Sequence, residues 1–400
     1  MIARQTLLIV AALIVSALPV WPQRDRRYDA SVVSQVRIDL RELGYPPVDV
    51  IPSDESAIRA LVVAPDGRIY GATSGERSHL FLLDLQHGYV EPLGRLPDTK
   101  VVHHSLVVDQ NGDVYIGTAL AVDDGAQGYQ HYSGGHLLKY VPADDRGRNG
   151  IRIDKPCPVV DVGIPLKGQG IYALAIDRPR GVIYGLTYPD GEFFSYQIQH
   201  GVVKIHGRVA TNTVPGEKFE NEKAVGRALA VDQERNVFTS GEGGRFYLFD
   251  VKAQQLKRLD IAVPAVPGRE VYDRVDAWTS DPEGSLYAGT SDGYLLRLNP
   301  TKLTVVNLGK PLNQYRIRGL VMAHNERLYG IGGDDDEIAR LFCYDPAAGV
   351  YEILGMIDVN RRPYYSWQGY VFDAMVIGLD GTVYMGQAER KSKLYLYYPH

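Results

Sequence analysis

The chain has 400 residues, 45% of them apolar, enough to bury a large core. Its formal charge of −5 is mild for that length and excludes a strongly basic binder of nucleic acid or of an anionic membrane surface. Tyrosine supplies 27 of the aromatic residues against 9 phenylalanines, a usage that suits polar ligands such as sugars and equally any β-rich fold.

The first residues read as a targeting segment. Arg4 gives a positive start, Leu7 to Val15 is an unbroken apolar run, and Val15-Ser16-Ala17 offers small residues for cleavage. The run is short for a membrane span, and Pro19 and Pro22 follow it. The expectation is a signal peptide over residues 1–17, a mature start near Leu18, and a secreted or periplasmic protein. A polar, flexible segment over residues 18–35 would precede the folded domain, residues 36–400.

From there a single pattern repeats. A turn followed by a short strand with Tyr or Phe in its middle occurs as GRIYGATS from Gly67, GDVYIGTA from Gly112, GVIYGLTY from Gly181, RNVFTSGE from Arg235, GSLYAGTS from Gly284, ERLYGIGG from Glu326 and GTVYMGQA from Gly381. The spacing of about 52 residues lies in the range of propeller blades. Each copy has an apolar strand before it (ALVVAPDG, ALAVDQER) and a third strand after it (HLFLLDL, FYLFDV, YLLRLNP). A fourth strand often ends in Leu-Gly, as at Leu93-Gly94, Leu308-Gly309 and Leu354-Gly355. Four short strands per repeat without helical periodicity predict an all-β fold, a seven-bladed β-propeller with four-stranded blades.

The last copy stops at its third strand, KLYLYYP, and the stretch VRIDLREL over Val36–Leu43 supplies a missing fourth. The ring is therefore expected to close by pairing Ile38–Leu43 beside Lys393–Tyr398, which removes an open sheet edge. There is no Trp-Asp ending or Gly-His pair of the WD40 kind and no periodic paired glycine of the kelch kind. Cys157 and Cys343 fall in distant repeats and are expected to be free and packed. Arg361-Arg362 and Asp334 to Asp336 read as solvated loop clusters, with a calcium-binding loop as the alternative for the aspartates.

The first strand of a propeller blade lines the central channel. Aligned across the repeats, these strands give a column of small residues at Ala60, Ser105, Ala173, Ala228, Ala277, Gly319 and Ala374, as a crowded axis requires. One residue earlier stand Arg59, His104, Tyr172, Arg227, Asp276, Arg318 and Asp373. Buried charge is costly unless paired, so this column is either a structural network or a ligand-binding ring. Loops between second and third strands would add His136 with His131 and Tyr132, Tyr188, Arg245, His79 and Tyr294 to the same face. His103 precedes the ring member of blade two.

His, Tyr and Arg without a facing carboxylate pair suit β-elimination of a uronate-containing polysaccharide. An Arg neutralises the sugar carboxylate and acidifies the neighbouring proton, while a neutral His or a Tyr takes that proton and another protonates the leaving oxygen. Glycoside hydrolysis would call for two carboxylates across the scissile bond; Asp276 and Asp373 stand two blades apart.

The HHSL start, the NGDVYIGT strand and the GGHLLKY strand resemble the seven-bladed propeller polysaccharide lyases of the ulvan lyase type. The resemblance implies a lyase in which His104 and His136 are the site histidines, Tyr188 transfers a proton and Arg227 neutralises the uronate. Arg59, His103, Tyr172, Arg245, Asp276, Arg318 and Asp373 would be substrate-binding. The expected partner is an anionic polysaccharide or oligosaccharide, with no nucleic acid, no membrane after signal removal, and a monomeric chain. No cofactor is predicted; no Cys/His set stands at zinc-ligand spacing, although a structural metal is left open. The alternative is a non-catalytic propeller that binds a glycan or a protein. Metal-dependent lactonases and antibiotic-linearising lyases, also propellers, need several ligands converging on one metal, whereas this ring carries three arginines.

Overall fold

The computed structural model describes residues 33–39, 51–52, 54–84, 89–120, 129, 131–145, 152, 154–210, 225–265, 267, 274–334, 336–361, 365–389 and 392–399. The expected signal peptide lies outside them. Among the described residues are seven four-stranded antiparallel sheets and one two-stranded hairpin. The sheets follow the repeats in order, so the chain is a seven-bladed β-propeller. Blade one is Ala57–Val63, Ile69–Ser74, His79–Asp84 and Tyr89–Arg95 from the axis outward. The inner strands of blades two to seven are Leu106–Val108, Gly170–Asp177, Ala230–Val231, Val275–Ser280, Ile317–Met322 and Phe372–Ile377.

The aromatic that marks each repeat is the blade's internal anchor. Tyr70, Tyr115, Tyr184, Phe238, Tyr287, Tyr329 and Tyr384 are all buried on second strands, where they fill the space between sheets. The glycine that follows three of them has a packing reason. A Cβ on Gly71, Gly185 or Gly330 would overlap the ring of Phe81, Phe194 or Phe342 on the adjoining strand, so only glycine admits the close approach. The turns between first and second strands are built by aspartate. Asp109 Oδ1 accepts from the Asn111 and Asp113 amides, Asp232 Oδ1 from Asn236, and Asp281 Oδ1 from Ser285 at 2.7–3.0 Å, the local capping for which Asp is selected in tight turns.

The ring closes where expected but with a shifted strand. Val33–Asp39 pairs antiparallel with Lys393–Tyr397, with Ile38 opposite Leu394 and Asp39 opposite Lys393. Lys393 is the first residue of its strand, and among the described residues the pairing runs back from Asp39 to Val33 opposite Tyr397. Residues 33–35, expected in the flexible segment, thus belong to blade seven, and 40–43 lie outside the described residues. A further correction concerns the hairpin Asp358–Arg361 with Tyr365–Gln368 between blades six and seven. Arg361 ends a strand there; Arg362 lies outside the described residues. Cys157 and Cys343 are both free and buried.

Candidate functional site: an ionic ring over an apolar collar

At the start of the inner strands the β-ladder slips by one residue in five blades. Ile58 pairs with Thr73 and Ala60 with Ala72, leaving Arg59 between them without a partner. The same slip leaves out Tyr172, Asp276, Arg318 and Asp373. A bulge frees one residue from the ladder and re-aims its side chain. The polar column of the repeats is therefore a column of bulge positions. Blades two and four reach the same place by inter-blade pairing, with His104 bridging Ala173 and the Arg227 amide donating to Val275 O.

Five members of the column, Arg59, Arg227, Asp276, Arg318 and Asp373, join one network. Asp373 accepts from Arg318 and lies 3.5 Å from Arg59 Nη1 and 3.8 Å from Arg227 Nη1. Asp276 Oδ1 lies 3.1 Å from Arg274 Nε and 3.9 Å from Arg227 Nε, and its Oδ2 lies 3.4 Å from Arg316 Nε. Asp334 meets Arg318 Nη2 at 2.7 Å and Arg316 Nη1 at 3.4 Å. Burial pulls both the Asp373 and Asp276 carboxyls upward, but the surrounding guanidiniums outweigh it and hold both below the usual carboxylate range. Arg316 is pushed down to about 10 by burial and by Arg227 and Arg318. Burial also pushes the His104 imidazole down to about 4, with Asp373 opposing and Arg227 adding to the shift. His104 is therefore neutral at physiological pH.

A cavity of about 180 Å³ is lined on one side by Arg59, His104, Asp276, Arg318 and Asp373, and deeper by Leu61, Leu106, Leu174, Leu229, Trp278, Leu320 and Met375. Each of these seven sits two residues after the polar position, one per blade, with the small column between. Arg59 also lines a surface groove of about 410 Å³ with Asp54, Ser74, Glu76 and Glu389. It is the member of the ring through which cavity and groove meet, and its side chain is 34% exposed.

The other sequence-derived candidates lie elsewhere. Tyr172 turns from the channel into the wall between blades two and three, where its ring centroid lies 4.7 Å from His103 and 5.7 Å from Tyr188. Tyr188 packs on Tyr129 at 5.4 Å, and Tyr129 on Tyr132 at 5.5 Å. His103 and Tyr188 are buried in this aromatic wall. His136 opens the third strand of blade two and points its Nδ1 at Asp161 Oδ2 on the fourth strand, 2.8 Å away. Arg245, on the third strand of blade four, lies 3.4 Å from Asp260. His79 is fully buried against Glu55 at 2.7 Å, His131 is exposed, and Tyr294 stands under Lys310. The structure thus brings together His104 and Arg227 of the four residues expected to act on substrate. It does not gather His136 and Tyr188 with them, because each is held by neighbours of its own sheet or wall.

Three members of the network were not singled out from the sequence. Arg274 and Arg316 stand two residues before Asp276 and Arg318, just ahead of the inner strands; that repeated spacing was the available signal. Asp334, expected as solvated loop, reaches back from the loop after the second strand of blade six to neutralise Arg318 and Arg316. Among the described residues no group of three or more His, Cys, Asp or Glu is arranged to hold a metal ion.

No family model matches the sequence, and no curated protein matches it. Among solved structures the chain is similar to a streptogramin B lyase, with a TM-score of 0.61 and 13% identity over 86% of this chain and 95% of that one. It is similar to virginiamycin B lyase from Staphylococcus aureus, at 0.61 and 9% identity over 91% and 98%, and to the WD40 propeller domain of Doa1, at 0.55 and 10% over 89% and 98%. At these identities the likeness is one of fold, and what it establishes is the seven-bladed β-propeller.

Proposed function

We propose that this is an exported propeller that binds a carboxylate-bearing glycan at the channel mouth, with Arg59 as the carboxylate ligand and the groove of Asp54, Ser74, Glu76 and Glu389 receiving the adjoining hydroxyls. The observation that carries the reading is the position of Arg59. It is the ring arginine shared by channel and groove, and its Nε is buried without a hydrogen-bond partner. A guanidinium with donors to spare is suited to a carboxylate. Arg227, expected as the neutraliser, already lies against two aspartates.

β-Elimination of the same glycan is the second reading, favoured by one contact: a neutral His104 lines the cavity beside Arg59. It ranks second because a histidine held near 4 is a weak base, and efficient general bases titrate near the working pH. His136 and Tyr188 are also engaged outside the cavity. The likeness to streptogramin and virginiamycin B lyases is confined to fold and carries no site onto this chain. Export rests on the apolar run Leu7 to Val15.

Calorimetry with polygalacturonate and alginate, against neutral dextran, tests the first reading. The uronate polymers are expected to bind and dextran not to, with Arg59→Ala weakening binding by about tenfold or more. Equal binding of dextran, or full affinity in Arg59→Ala, rejects it. Following the ultraviolet absorbance of unsaturated uronates in the same mixtures decides between binding and elimination.

A further inference from the structure

The surface groove and the seam where the ring closes share one short segment, Asp54-Glu55-Ser56, just ahead of the inner strand of blade one. Asp54 O accepts from the Glu76 amide at 2.9 Å, and both residues line the groove. Ser56 Oγ accepts from the Ser392 amide at 3.2 Å, beside the last strand of blade seven. The fit is close, since a Cβ on Gly75 would overlap Asp54 O. Between these two ties the Glu55 side chain is buried, and its Oε2 accepts from His79 Nε2, 2.7 Å away on the third strand of blade one. The His79 side chain is wholly buried, and its Nδ1 has no hydrogen-bond partner.

We propose that Glu55 and His79 form an acid-released clasp that holds this segment, and with it the groove wall and the seam between the first and last blades. A carboxylate partner requires the neutral ring to carry its proton on Nε2. Protonation then puts a second N–H at Nδ1, where no acceptor stands, and an unmade donor and a charge in a buried site both cost free energy. The surrounding charges do not relieve this. Burial is the largest influence and opposes the proton; Glu55 favours it, Arg95 opposes it from across the sheet, and Asp154, paired with Arg95, favours it. Arg77 lies 3.9 Å from Glu55 Oε1 and competes for the same carboxylate. The balance holds the imidazole below its usual value. The unfolded imidazole titrates near 6.5, so the clasp is fully made above about 6.5 and is lost as pH falls through the folded value. With the imidazole charged, the segment lets go, and the groove loses its wall and its ligand. Release of a ligand rests on the glycan reading; release of the segment does not.

Hydrogen exchange on the full chain at about pH 7.5 and about pH 5, corrected for the intrinsic rate, tests the clasp. The amides of Glu76 and Ser392, which bond to the segment, should lose protection about tenfold or more at the lower pH. The loss should vanish in His79→Gln, which keeps a donor for Glu55 and does not titrate, and persist in His104→Gln. Should His79→Gln not fold, Glu55→Ala serves instead and should leave both amides weakly protected at either pH. Polygalacturonate affinity, read by calorimetry, should fall about tenfold over the same interval in the parent and hold in His79→Gln. Unchanged protection in the parent, a loss that survives His79→Gln, full protection in Glu55→Ala, or steady affinity in a parent that binds the polymer overturns the proposal. A loss cancelled equally by His104→Gln would come from unfolding of the whole ring and overturns it too. Polymer bound at neither pH strikes the glycan reading, and exchange alone then decides the clasp.

Discussion

The two walls of the channel are built from the same strand geometry and carry opposite chemistry. In blades four to seven and one, the residues at the inner-strand start are Arg227, Asp276, Arg318, Asp373 and Arg59, and they pair across the axis. In blades two and three, the equivalent region holds His103, Tyr172 and Tyr188 in ring-to-ring contact. The first wall is held by charge that only works because each acid faces several bases. The second is held by burial of aromatic surface and needs no partner of opposite sign. A symmetric fold therefore carries an asymmetric channel: the guanidiniums of Arg59 and Arg318 come from the ionic wall, and the neutral imidazole of His104 is what blade two adds to the cavity.

The sharpest way to break this contrast is to remove one charge from the first wall. Asp373→Ala leaves Arg318, Arg59 and Arg227 facing one another in a buried site, and breaking a buried pair by deleting one partner costs about 3–5 kcal/mol. Urea unfolding at neutral pH should show this loss. The matched cut in the second wall, Tyr172→Ala, should cost about 3 kcal/mol by loss of packing. The two differ in their response to acid. The Asp373 carboxyl is held well below the usual range, so its contribution is present above the unfolded carboxylate value near 4 and is lost as pH falls through its folded value. The parent's advantage over Asp373→Ala should shrink in strong acid, while its advantage over Tyr172→Ala should not follow that titration. An equal acid response in both variants would remove the distinction between the walls.

His104 sharpens the contrast at milder pH. Its imidazole is pushed down to about 4 in the folded state by burial first and Arg227 next, against Asp373. The unfolded chain takes up this proton near 6.5, so the stability it confers is present above about 6.5 and is lost progressively toward 4. His104→Gln cannot titrate and should flatten the fall in melting temperature between those values. The flattening should be partial, because His103, also held well below the usual range by burial, Arg59 and His104 itself, and His206 keep their share. A melting profile unchanged by His104→Gln would place the imidazole in water.

The smallest effect is expected outside both walls. His136 and Asp161 are 36% and 53% exposed at the side chain, and exposed pairs contribute about 0–1 kcal/mol. His136→Gln should therefore leave urea stability within about 1 kcal/mol of the parent and leave uronate binding intact. A large loss of binding would return His136 to the site that the sequence resemblance implied.

Much of this molecule is legible in its sequence. Repeats at about 52 residues, an aromatic in every second strand and an aspartate or, in blade six, an asparagine in the turn before it specify a blade locally, since each residue acts on neighbours a few positions away. Counting them gave seven blades, and the missing last strand pointed to the N-terminal segment. The polar column was legible too, because one alignment offset is enough to find Arg59, His104, Arg227, Asp276, Arg318 and Asp373. What each of these residues touches was not. Asp373 meets Arg318, 55 residues away, and Arg227 and Arg59 from other blades. Arg227 is thereby tied to two acids instead of standing ready for substrate. Tyr172 shares the column and leaves the channel, since His103 and Tyr188 offer it an apolar wall. His136 follows a glycine pair that resembles a site motif, yet Asp161 on the next strand holds its imidazole. The sequence by itself determined the blade, the number of blades and the positions that face the axis, because those depend on local periodicity. Only the closed ring decided which charges neutralise one another, which side chain turns away, and that an apolar collar lies two residues beneath the ionic ring, because those follow from distances across the axis that no local spacing contains.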